Sequence, residues 1–306
     1  MLAKPTSSIS LALTSFTVAA AAAALESALR TPPPTGGAVA PERAAAARGL
    51  NRGSALLAAA ALADSAVEHY RGGFHNPTMI LPLAVAAEAL GTGLHGALDK
   101  NPRFNSTRDL GNAVSLVTGI AGTGFHFYNI LKRPGGWSWL NLFYAAPLGA
   151  PAALSLAGLF GGIAERLRGN SRKAIYGFMP GKLTARLVAL GLLGTSGEAA
   201  LMHFRGAYHN PAMVIPVTAP PVAAALLAGA TICPRLAEPA RWSMRLLIGI
   251  GFLGAGFHAY GVQRNMGGWR NWSQNVLNGP PLPAPPAFTA LALAGLAALR
   301  LLDDER

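Results

Sequence analysis

Of the 306 residues, 51% are hydrophobic and only 12% are charged; soluble domains carry about twice that share of charge. The composition and the positive mean hydropathy predict an all-α integral membrane protein with the lipid bilayer as its surroundings. A net charge of +12 raises nucleic acid as a partner, but the cations stand singly between apolar runs, so no nucleic-acid face is expected. The single cysteine, Cys233, excludes an intrachain disulfide and a Cys-built zinc or iron–sulfur site.

In chain order, the alanine-rich run at 9–29 predicts an N-terminal transmembrane helix within 1–30, although its AAAALES end has the look of a signal-peptide cleavage region. Residues 31–52, PPPTGG followed by a basic Ala/Arg stretch, read as a cytoplasmic linker that begins a surface helix. Two membrane repeats are expected at 53–170 and 171–306. The first offers apolar segments at 53–70, 77–98, 110–131 and 145–164, and the second at 186–204, 211–232, 244–263 and 283–302. With the N-terminal helix these make about nine spans.

The repeats are visible residue by residue. ADSAVEHYRGGFHNPTMILP, ending at Pro82, returns as GEAALMHFRGAYHNPAMVIP, ending at Pro216. Asp64 falls on Glu198, His69 on His203, Arg71 on Arg205, His75 on His209 and Met79 on Met213. A second block from Gly119 recurs from Gly251 and pairs His126 with His258 and Tyr128 with Tyr260. Six of the seven histidines thus occupy repeated positions.

Four spans per repeat is an even number, so both copies enter the membrane in the same sense, as parallel four-helix repeats. All six repeated histidines then emerge on one face. The loops on that face hold six Lys and Arg residues against seventeen on the other. The positive-inside rule places the histidine loops outside the cell inner membrane and the N-terminal helix as a retained ninth span.

Part of the motif reads as architecture. Asn76–Pro77 and Asn210–Pro211 have the order of a helix N-cap followed by proline. Gly72 and Gly206 read as turns, and Trp137, Trp139, Trp269 and Trp272 as interfacial anchors. The ionisable groups point to chemistry. Asp64 and Glu198 lie at a depth where a charge needs a partner or a task. Asp64, His69, His75 and His126, with Glu198, His203, His209 and His258, supply three imidazoles and one carboxylate per repeat, the ligand types of an iron, copper or zinc site. Met79 and Met213 add a soft ligand that favours copper. A b-type haem is a specific variant: His69 with His126, and His203 with His258, form axial pairs, and Arg71 and Arg205 bind propionates. Glu88 and His95 lie on one face of the second span and have no counterpart in the second copy, where Val222 and Gly229 stand; they mark a proton or substrate path.

These features predict a bacterial inner-membrane metalloprotein with oxidoreductase or metal-handling chemistry, served by a redox partner or quinone. The alternatives are a transporter or channel, and a non-catalytic anchor or assembly subunit that uses the histidines structurally.

Overall fold

In the computed structural model, residues 39–101, 103–169 and 178–306 are described; the expected N-terminal span at 9–29 lies outside them. The described chain is helical. Helix α1 (Pro41–Arg71) opens with proline in its first turn, where a missing N–H costs nothing. From Pro41 it runs unbroken through the remainder of the region expected to be a linker. Ala46, Ala47 and Leu50 are fully buried, so from Pro41 onward this stretch belongs to the core rather than to a surface segment. The alanines that suggested a linker let another helix approach closely.

The rest of the first half follows as α2 (Leu81–Leu98), α3 (Ser106–Leu131), the short α4 (Trp139–Phe143) and α5 (Gly149–Arg168). The same order recurs as α6 (Pro180–Arg205), α7 (Ile215–Ala230), α8 (Ala237–Arg264), the short α9 (Trp272–Asn278) and α10 (Pro286–Asp304). In the first half α1 packs on α2 and α5, and α3 packs on α2 and α5. In the second half α6, α7, α8 and α10 pack in the corresponding ring.

Among the described residues, five helices are long and apolar enough to cross a membrane: Pro77–Leu98, Pro180–Arg205, Pro211–Ala230, Pro234–Arg264 and Pro286–Asp304. They cover five of the expected segments. The other three, at 53–70, 110–131 and 145–164, lie in α1, α3 and α5, which are more polar. Asp64, Glu68 and Arg71 end α1, Asn112, Ser115 and Thr123 run along α3, and Glu165, Arg166 and Arg168 end α5.

Two of the helix pairs through which the halves meet are made equivalent by the sequence repeat, α1 with α10 and α6 with α5. The first is tight and the second sparse. The cause is side-chain size. A Cβ on Gly53 would stand 2.8 Å from the Ala290 carbonyl oxygen, and one on Gly49 3.2 Å from the Ala297 Cβ. The equivalent positions on α6 are Leu187 and Leu183, facing an α5 that carries Leu156 and Ile163 in place of the two alanines. Small residues let α1 and α10 close, whereas leucine and isoleucine hold α5 and α6 apart.

Asn76 and Asn210 cap as their position before proline implies. The Asn76 side chain accepts the Thr78 N–H at 3.0 Å, and Asn210 accepts the Ala212 N–H at 2.9 Å. Each starts a single 3₁₀ turn, Pro77–Ile80 or Pro211–Val214, that leads into α2 or α7. Asn76→Ala is expected to cost about 1 kcal/mol, read as a lower denaturation midpoint in detergent micelles.

Candidate functional site

The repeated histidines sit at one end of the helices, held in an identical way in both halves. His69 and His203 lie in the last turns of α1 and α6. Their Nδ1 atoms stand 2.7 and 2.8 Å from the carbonyl oxygens of Met79 and Met213, ten residues on. His126 on α3 and His258 on α8 place Nδ1 2.6 Å from the carbonyl oxygens of Pro147 and Pro281. His75 and His209 bond the carbonyls of Gly72 and Gly206 at 3.1 and 3.0 Å. A carbonyl oxygen only accepts, so Nδ1 carries the proton in all six rings. The Nε2 lone pair is then left to bind. This is the tautomer that histidine ligands adopt when a backbone carbonyl orients the ring.

The loop that makes these contacts is strained. Phe74 and Tyr208 adopt φ 46° and Ala207 φ 55°, with Gly73 at φ 67° where the second copy has Ala207. Left-handed backbone at non-glycine residues persists only where its surroundings fix it. Here it returns the chain so that the Phe74 and Tyr208 N–H groups bond the carbonyls of His69 and His203, both at 3.0 Å.

The histidines gather in pairs. His126 lies within electrostatic reach of His69, and His258 within reach of His203. Yet α1 and α3, and likewise α6 and α8, are not directly packed partners among the described residues. Each pair therefore joins two helices that lie diagonally across their half, both packed on the same two neighbours. No three His, Cys, Asp or Glu side chains among the described residues converge where one ion can be held. The expected grouping of three imidazoles with a carboxylate is not assembled among the described residues: His75 and His209 are exposed and turned back onto their own turns.

Asp64 and Glu198 face a large open cavity between the halves, about 2320 Å³, on the side where α5 and α6 are held apart. They are close enough to interact electrostatically. The Glu198 carboxylate accepts the backbone N–H groups of Leu148 and Gly149 at the start of α5. A Cβ on Gly149 would lie within contact distance of that carboxylate, so glycine there is required by the partner. Position 283, the counterpart of Gly149, is Pro283 and offers no N–H, so Asp64 has no equivalent cap. His203, His258 and Arg205 also line the cavity.

Arg71 is ion-paired with Glu68 at 2.8 Å. Arg205, where Met202 replaces that glutamate, lies 5.0 Å from the Phe143 ring centroid and has no carboxylate partner among the described residues. Glu198 lies within electrostatic reach of Arg205. Glu88 and His95 lie on the exposed side of α2, where Glu88 accepts the Thr92 hydroxyl at 2.6 Å.

Sequence reasoning missed an ion cluster at the opposite end of the first half. Arg108 bonds Glu165 through Nε at 2.7 Å and Nη2 at 3.1 Å, and Asp99 through Nη1 at 2.7 Å. Arg166 pairs with Asp109 at 3.1 Å. Arg168 reaches the carbonyls of Asn101 and Gly96. Comparison with models of known families, with curated proteins and with solved structures returns no match.

Proposed function

We propose that the chain is a multi-pass inner-membrane protein of about nine spans, two parallel repeats after an N-terminal helix, that holds a b-type haem in each half. His69 with His126, and His203 with His258, would hold the iron. Arg205, and Arg71 beside Glu68, receive the propionates. One observation carries this reading: paired histidines whose Nδ1 is committed to a carbonyl and whose Nε2, among the described residues, has no hydrogen bond. Two-histidine ligation is also the metal-binding mode that needs no third side chain. When bound, haem supplies one-electron chemistry. The protein's share is to fix the ring planes, to keep Nε2 deprotonated and to place cations at the exposed edge. The cavity between α5 and α6 gives a quinone or another redox partner an apolar approach to the His203–His258 pair. The positive-inside count favours the histidine end outside, and exposed Trp137, Trp139, Trp269 and Trp272 suit a membrane interface.

A second reading is favoured by the open cavity with its two carboxylates: a transporter for a small solute, in which the histidines only fasten helix ends to loops. The optical spectrum of protein purified from cells supplied with iron and haem precursor separates the two. A Soret band that shifts on dithionite reduction is expected. A colourless protein under those conditions would leave the transporter standing.

A further inference from the structure

Aligned by the repeat, the cores of the two halves differ in kind at the end away from the histidines. Asn51 is fully buried with both amide atoms unbonded, and Asn112, 2% exposed, leaves its Nδ2 unbonded. Their counterparts are Ala185 and Met244, both buried. Ser54, whose hydroxyl bonds the Ala157 carbonyl at 2.8 Å, corresponds to Val188, and buried Ser115 to Leu247. The ion cluster of Arg108, Glu165 and Arg168 corresponds to Ala240, Leu299 and Leu302. At these positions the first half is polar where the second is apolar, while the second half buries Thr184 and Ser196 and keeps Thr289 where the first has Ser155.

These polar groups are contiguous. Arg168 bonds the Gly96 carbonyl, and a Cβ on Gly96 would lie 2.5 Å from the Asn51 amide. Asn112 sits one turn along α3 from Arg108 and against Gly161 of α5. Ser115 is the next turn, and its hydroxyl bonds the Gly111 carbonyl, over which Glu88 lays its carboxylate. One turn further, a Cβ on Gly119 would lie 2.4 Å from the Ser155 Oγ. Ser155 and Thr123 line the central cavity, whereas position 255, equivalent to Thr123, is alanine. Buried amides without protein partners cost several kcal/mol in hydrocarbon and recruit water where it fits.

We propose that the first half holds a chain of buried water from the ion cluster past Asn51, Asn112 and Ser115 to the central cavity, and that this chain conducts protons through that half alone. Chains of polar groups inside membrane bundles serve as proton relays. The inference does not depend on haem, since flux is read with or without pigment.

The test is proton flux into vesicles of neutral phospholipid containing the full chain, driven by a valinomycin-clamped potassium gradient and read with an internal pH dye. Flux above that of protein-free vesicles is expected. The triple variant Asn51→Ala, Asn112→Met, Ser115→Leu, which imports the second half's residues, should lower it at least about tenfold. Met244→Leu in the other half should leave it unchanged. Flux no greater than in protein-free vesicles, or a triple variant as conductive as the parent, overturns the proposal. If the triple variant does not fold, silver-ion reactivity decides, with Cys233→Ser as background. Asn112→Cys should then react at least about tenfold faster than Met244→Cys, and equal rates refute the water chain.

Discussion

His203→Ala should remove about half of the haem bound by the purified protein, and His69→Ala about the other half, with the double variant colourless. The halving follows from where the histidines couple. His126 interacts with His69 and His258 with His203, so each pair belongs to its own half and the losses add. A single centre shared between halves would make either substitution remove nearly everything. His75→Ala and His209→Ala serve as the contrast. Those rings are exposed and bond only their own preceding turn, so the spectrum should survive both changes. Loss of the Soret band in His75→Ala with His69→Ala unaffected would reverse the assignment.

Glu165→Leu alone is expected to cost about 3–5 kcal/mol of stability, because it leaves the buried Arg108 guanidinium without its main counter-charge. Glu165 is 0% exposed and Arg108 2%. Glu165 also accepts the Asn105 N–H at 2.9 Å, so the change frees a backbone donor as well. The triple change Arg108→Ala, Glu165→Leu, Arg168→Leu should recover most of the loss. It installs Ala240, Leu299 and Leu302 of the second half, where the same three positions are buried and apolar. Buried ion clusters replaced as a unit by packed apolar residues are often neutral in stability, whereas broken ones are not. Thermal midpoints in one detergent decide this. Asp99 adds a pH dependence. Burial raises its pKa, but hydrogen bonds from the Asn101 N–H and Arg108, with the charges of Arg108 and Arg168, outweigh burial and hold it below the ordinary 3.8. Its stabilising share is therefore fully present above about pH 4 and is lost as pH falls through that lowered value.

Much of the fold was legible because it is written in local signals. Asn–Pro before an apolar run announced the starts of α2 and α7, and the duplicated block announced which histidines share a position. What escaped depends on partners distant in sequence. Pro41 to Arg52 resembled a linker because alanine and arginine give no apolar period, yet Gly49 and Gly53 are the surface on which α10 lies. Arg108, Arg166 and Arg168 were counted only as topology signals. The carboxylate partners of Arg108 and Arg166 are 9 to 57 residues away, and no spacing rule joins them. Glu198 looked like a metal ligand because acid and histidine recur together; its bond to the start of α5 is signalled only by Gly149, where the other half has proline. The contrast of Gly49 and Gly53 with Leu183 and Leu187 stands in the aligned repeats, but it becomes an open side only once α10 and α5 are known to face them.

The central claim is paired-histidine ligation in each half, and low-temperature electron paramagnetic resonance of the oxidised, purified chain tests it most directly. The expected result is a low-spin ferric signal of bis-imidazole type, with about two haems per chain by pyridine haemochrome. His126→Ala should remove one of them while leaving the His203–His258 signal intact. A low-spin signal unaffected by all four axial substitutions, or iron that is non-haem throughout, would contradict the account.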